Sequence, residues 1–114
     1  MKKIWMICFV VVVTLASCDS NKAPKDVTVS AAKGQRDGAM VRLTGTIEFG
    51  TGEMYQFLDS TGNIPVEIED EIWVRSGINP AVLNFPVQAE IEGEVNKERG
   101  SNTYIDATRV RVLP

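Results

Sequence analysis

From residue 41 onward, apolar and polar positions alternate with a period of two, the mark of strands with one buried face. Val41, Leu43, Gly45, Ile47 and Phe49 share one side while Arg42, Thr44, Thr46 and Glu48 share the other, which predicts a first strand. Gly50 to Glu53 has the composition of a turn, and Met54 to Asp59 follows as a second strand with Tyr55 and Phe57 facing the core. After a turn at Ser60 to Asn63, Ile64, Val66 and Ile68 alternate with Pro65, Glu67 and Glu69 in a third. The alternation then stops. Residues 70 to 77 open with acidic side chains and close on Gly77, which fits a short helix anchored by Ile72 and Trp73. Phe85, Val87, Ala89, Ile91, Gly93 and Val95 make a long fourth strand whose outward partners include Glu90, Glu92 and Glu94. Lys97 to Asn102 turns, and Tyr104 to Leu113 forms the fifth strand. There Ile105 and Ala107 fall out of phase with Val110 and Val112, so a bulge is expected near Thr108. Five strands, one helix between the third and fourth, and glycines where a sheet must bend predict an all-β fold, a small five-stranded OB-fold barrel over residues 37–114.

The amino-terminal segment follows a different rule. Lys2 and Lys3 precede an apolar run from Ile4 to Val13, too short to cross a bilayer, and small residues follow it. Leu15, Ala16, Ser17 and Cys18 resemble the lipobox of bacterial lipoproteins. That resemblance implies a lipoprotein signal peptide at 1–17 and lipidation of Cys18, with the protein held to a membrane through this anchor. A periplasmic location, lipid-anchored to a bacterial membrane, is expected; Asp19 resembles an inner-membrane retention signal and slightly favours the inner membrane, with the outer one left open. Residues 18–36 read as a tether of small and polar side chains, within which Val27 to Lys33 allows either a short helix or a lead-in strand packing on the domain's edge.

Charge and composition then narrow the chemistry. The 114 residues contain no His and two Cys, and carry a formal net charge of −3. Without His there is no Ser-His or Cys-His nucleophile pair and no imidazole metal ligand. Cys8 leaves with the signal and Cys18 is taken by lipid, so the exported chain has no thiol for catalysis or metal binding. Loss of Lys2 and Lys3 leaves 10 basic and 15 acidic side chains, a net charge of −5. Such a balance disfavours nucleic acid, whose binders gain from counterion release at a basic face.

Separated motifs resemble a known family. They are Asp37-Gly38 with Val41, Leu43, Gly45 and Ile47; Tyr55, Phe57, Asp59, Gly62, Ile64 and Val66 to Ile68; Trp73; Ile91, Gly93 to Val95, Lys97 and Glu98; and Ile105-Asp106. In this order they resemble the bacterial OB-fold (BOF) family, also called the YgiW/YdeI stress-tolerance family, across residues 27–114. The resemblance implies a small exported envelope protein without established catalysis, linked to stress tolerance. It also implies that small molecules or cationic ligands are bound rather than nucleic acid. The lipobox departs from the cleaved, freely diffusing form of many members.

The usual OB ligand surface is the outer face of the second and third strands with the loops at 50–53 and 98–102. Tyr55 and Phe57 read as core rather than as base-stacking platforms, and Arg42, Lys97 and Arg99 are too few for a cationic track. The acidic residues offer more. Glu67, Glu69 and Asp70, with Glu71, gather at the end of the third strand, and Glu90, Glu92 and Glu94 run along the fourth at a spacing of about 7 Å. The candidate ligand surface therefore comprises Glu67, Glu69, Asp70, Glu90, Glu92 and Glu94 with Lys97 and Arg99, facing a cationic small molecule, a cationic peptide, a divalent ion or an envelope protein. The same pattern is also that of a solvated face keeping a barrel soluble. No dedicated metal loop and no cofactor site is read, and a barrel of this size lacks the deep cleft a carboxylate-pair glycosidase needs. The expected function is that of a non-catalytic, lipid-anchored periplasmic binding protein in envelope stress tolerance. A structural adaptor docking onto a membrane protein is the alternative.

Overall fold

The computed structural model describes residues 23–97 and 102–114. Residues 1–17, read as a signal peptide, lie outside these residues, as do Cys18, Asp19, Glu98 and Arg99. In chain order the elements are β1 (Lys25–Asp26), α1 (Val29–Lys33), β2 (Met40–Thr51), β3 (Met54–Asp59), β4 (Gly62–Glu67), α2 (Asp70–Arg75), a 3-10 turn (Pro80–Val82), β5 (Val87–Lys97) and β6 (Thr103–Val112).

Five of these strands close on themselves. β2 pairs antiparallel with β3 through residues 46–51 and with β5 through residues 40–47, while β3 pairs with β4 and β5 with β6, both antiparallel. A short parallel pairing of Val66 and Glu67 with Ile105 and Asp106 joins β4 to β6 and completes the ring. This is the expected barrel with the expected helix between its third and fourth strands. Serving two partners requires β2 to bend where one pairing hands over to the other, and Gly45 sits there. A Cβ at this position would lie 2.1 Å from the Leu58 carbonyl oxygen. The bulge falls where the phase change placed it. Glu92 faces Arg109 and Gly93 faces Ala107, so Thr108 is the extra residue of β6, and its hydroxyl donates to the Glu92 carbonyl at 3.2 Å.

The barrel interior is filled by inward-facing side chains, among them Leu43, Ile47, Phe57, Ile64, Ile91 and Ile105, each fully buried. α2 packs beside one end of the wall, where Trp73 is 1% exposed and meets Tyr55 edge to face at 5.7 Å. Such an aromatic pair contributes beyond its buried area.

Two expectations need correction. The folded unit begins before residue 37. β1 adds to the stretch of β2 that β3 does not reach, Lys25 opposite Val41, and Val29 and Ala32 of α1 are fully buried against the barrel. The short apolar spacing of a five-residue helix is too weak a periodic signal to separate from a linker. Phe49 is the second. It continues the inward-facing series of β2 but is 73% exposed, because β5 pairing ends at Ile47 and the barrel interior ends with it.

Asp59 fixes α1 to the barrel. Its carboxylate accepts hydrogen bonds from the Val29 amide at 2.9 Å, the Thr61 amide at 2.7 Å and the Thr61 hydroxyl at 2.6 Å. Partial burial pushes this carboxyl upward, but the bonds from the Thr61 hydroxyl and from the amides of Val29, Thr61 and Gly62 outweigh it and hold the group below its ordinary value. A lowered carboxyl adds stability that is present above its unfolded value, 3.8, and is lost as pH falls through the folded one. Acid titration of thermal stability should therefore show a decline below about pH 4 that is shallower in Asp59→Asn. Equal slopes in the two proteins would remove Asp59 from the acid response.

Candidate functional site

The acidic end of the β3–β4 hairpin is built by its register. Met54 lies opposite Glu67, and the Ile68 amide donates to the Glu53 carbonyl at 2.8 Å, so the residue entering β3 is drawn against the residues leaving β4. Ile68 is fully buried, which turns its neighbours Glu67 and Glu69 to the same outward side. The carboxylates of Glu53, Glu67 and Glu69 thus converge, with one oxygen from each lying within 4.8 Å of the others. Glu67 is half-buried, whereas Glu53 and Glu69 are exposed. Twice a calcium–oxygen distance of about 2.4 Å is about 4.8 Å, so a single hard cation can touch all three groups.

Of the residues singled out from sequence, Glu67 and Glu69 belong to this cluster and Asp70 does not. Asp70 opens α2 together with Glu71, where negative charge suits the helix start. Glu90 and Glu92 are engaged elsewhere. Glu92 accepts from Arg42 Nε at 3.1 Å, and Glu90 pairs with Arg111 at 3.3 Å. Arg42 also meets Asp26 at 3.2 Å, and its bonds to Glu92 and then Asp26 raise its affinity for its proton further. Much of the acidic row on β5 is therefore matched by arginines of β2 and β6. Glu94 is exposed in register between Met40 and Asp106. Lys97 is exposed at the end of β5, where its amide donates to Asp37 at 2.7 Å, and Arg99 is outside the described residues.

In the sequence alone Glu53 reads only as part of a turn. The signal was the strand register, since a tight hairpin pairing Met54 with Glu67 must bring residue 53 beside residue 68. Beside this cluster, Tyr55 and Phe57 face inward as expected, 8% and 0% exposed. Phe49 stacks on Phe85 with ring centres 4.9 Å apart, and Phe85 lies 5.7 Å from Tyr55.

The family model described as "Bacterial OB fold (BOF) protein" matches residues 16–112. The chain belongs to the bacterial OB-fold family. The chain is 36% identical over 76 residues to the calcium-regulated OB-fold protein CarO of Pseudomonas aeruginosa, an alignment covering 66% of this chain and 61% of that protein. It is 35% identical over 85 residues to YgiW of Escherichia coli, covering 74% of this chain and 61% of that protein. The matched stretch is thus about three fifths of the length of either relative. The solved structure of YgiW superposes with a TM-score of 0.64 and 33% identity, covering 78% of this chain and 90% of that one. CarO is named as an OB-fold protein, and neither relative is named as an enzyme. Among the described residues no helix is long and apolar enough to cross a membrane.

Proposed function

We propose that this BOF protein is a non-catalytic binding protein of the bacterial envelope, lipid-anchored at Cys18, that takes a cationic ligand at Glu53, Glu67 and Glu69 and serves tolerance of envelope stress. The convergence of three carboxylates within one ion's reach carries the reading. Several like charges held together by backbone pairing repel one another, and a bound cation relieves that repulsion. The net charge of −5 expected for the exported chain favours the approach of cations. A relative named as calcium-regulated supports a divalent ion as the first probe. The absence of His and the inward placement of Tyr55 and Phe57 support a role that is neither catalytic nor nucleic-acid binding.

Calorimetric titration of the full-length protein with calcium, magnesium and spermidine tests it. Saturable calcium binding is expected at about 10⁻⁴ to 10⁻³ M, the weak end of the range of protein calcium sites. The double variant Glu67→Gln, Glu69→Gln should weaken it about tenfold or more while keeping the wild-type melting curve. Flat traces for all three cations in the wild type would remove the reading. The exposed Phe49, stacked on Phe85 at the same end of the barrel, would then favour the second reading, an adaptor that docks onto an envelope membrane protein.

A further inference from the structure

The opposite charge collects elsewhere in this acidic chain. Three of its six arginines, Arg75, Arg109 and Arg111, border one open cleft of about 360 Å³. Arg109 and Arg111 are two residues apart on β6 and so project from the same side of the strand, while Arg75 is the last residue of α2. The two elements are locked together at this point, because the Val110 amide donates to the Ser76 hydroxyl oxygen at 3.1 Å. Ile78, Val110 and Val112 supply apolar lining.

The cations are not used up by their neighbours. Arg75 gives one nitrogen to Glu71 at 3.2 Å and Arg111 gives one to Glu90 at 3.3 Å, both as solvent-exposed guanidiniums. Exposed pairs of this kind are weak, and each guanidinium has five N–H donors, so most of its fork remains available. Among the described residues Arg109 has no ion-pair partner. The Ser76 hydroxyl accepts from Val110 through its oxygen, which leaves its own proton to donate.

We propose that this cleft binds an oxyanion, a phosphoryl group, held by Arg75, Arg109 and Arg111 with a hydrogen bond from the Ser76 hydroxyl. Three guanidiniums less two carboxylates leave a local excess of positive charge. A phosphoryl group offers several oxygens to forks approaching from both α2 and β6, which a single carboxylate does not match. The apolar lining lowers competition from water and gives the ester side of a phosphate a surface to lie on. The site is independent of the carboxylate cluster at the other end of α2, so either can fail without the other. In an envelope protein the phosphoryl group has two sources, a lipid headgroup or a soluble phosphate.

Calorimetry of the full-length protein at low salt with inorganic phosphate and with water-soluble dihexanoyl phosphatidic acid separates them, with acetate as the comparison. Saturable binding of both phosphates at millimolar concentration, and weaker binding of acetate, is the expected result. Binding of phosphatidic acid alone also supports the phosphoryl site and assigns it to lipid headgroups, and binding of inorganic phosphate alone assigns it to the soluble ion. Arg109→Gln should weaken the binding about tenfold, and Glu71→Gln, which frees Arg75, should not weaken it. Both residues are exposed, so the variants are expected to keep the wild-type melting curve. Absence of saturation with both phosphates, or equal affinity in wild type and folded Arg109→Gln, would overturn the proposal.

Discussion

Gly45→Val is expected to prevent the barrel from closing. The first atom of any side chain at this position would stand 2.1 Å from the Leu58 carbonyl oxygen and 3.1 Å from the Phe57 ring. Neither obstacle can swing aside, because Leu58 is in register with Thr46 on the neighbouring strand and Phe57 is fully buried. β2 must then pull away from β3, and the bend by which it passes from β5 to β3 is lost. A single overpacked core position costs about 1–3 kcal/mol and more when backbone must move, so a loss of at least about 3 kcal/mol is expected here. For a domain whose whole stability is about 5–15 kcal/mol, that lowers the melting temperature by roughly 12 °C or more. Circular dichroism melting measures it, with Gly45→Ala as the milder companion. A Gly45→Val protein melting within a few degrees of wild type would show that β2 and β3 do not pack at this distance.

Much of this fold is visible in the chain itself because a closed barrel repeats one simple rule. Each strand buries alternate residues, and the two places where the rule must break carry their own marks, Gly45 at the bend of β2 and the phase slip at Thr108 in β6. α2 is visible because its acidic start, its paired anchors Ile72 and Trp73 and its terminal glycine fall within eight residues. What alternation cannot show is where a strand leaves the barrel. Phe49 has the right parity for the core and still ends exposed, since parity fixes a side and not a depth. Nor does it show which charges meet. Glu90 and Glu92 look like a bare acidic row until β2 and β6 bring Arg42 and Arg111 alongside. Glu53 joins Glu67 and Glu69 only through hairpin register, and the arginine cleft needs α2 to lie against β6. Contacts between elements distant in sequence made the sites, while local periodicity made the strands.

Cys18→Ala is expected to move the protein from the membrane fraction to the soluble periplasmic fraction. On the lipobox reading the side chain of Cys18 carries two acyl chains and its amino group a third. Each buried methylene contributes about 0.8 kcal/mol, so one chain holds a protein only marginally whereas several hold it essentially for good. Removing the thiol removes the attachment point of the two chains the side chain carries, an effect far larger than any single side-chain contact in the barrel. The early start of the fold sharpens the consequence. Since β1 begins at Lys25, only residues 18–24 separate the anchor from the sheet, and seven residues span at most about 25 Å. A longer tether, reaching to residue 36, would have let the barrel sample the periplasm well away from the bilayer. With the shorter one a barrel anchored at Cys18 would stay near the headgroups, where cations concentrate and where phosphoryl groups are dense. Labelling with radioactive palmitate and fractionation of the two proteins is the measurement. Label in wild type and none in Cys18→Ala, with the variant soluble, is the expected pair of results. A variant that stays membrane-bound with its amino-terminal segment uncleaved would replace the lipid anchor by a helical one, and an unlabelled wild type in the cytosol would remove the envelope function altogether.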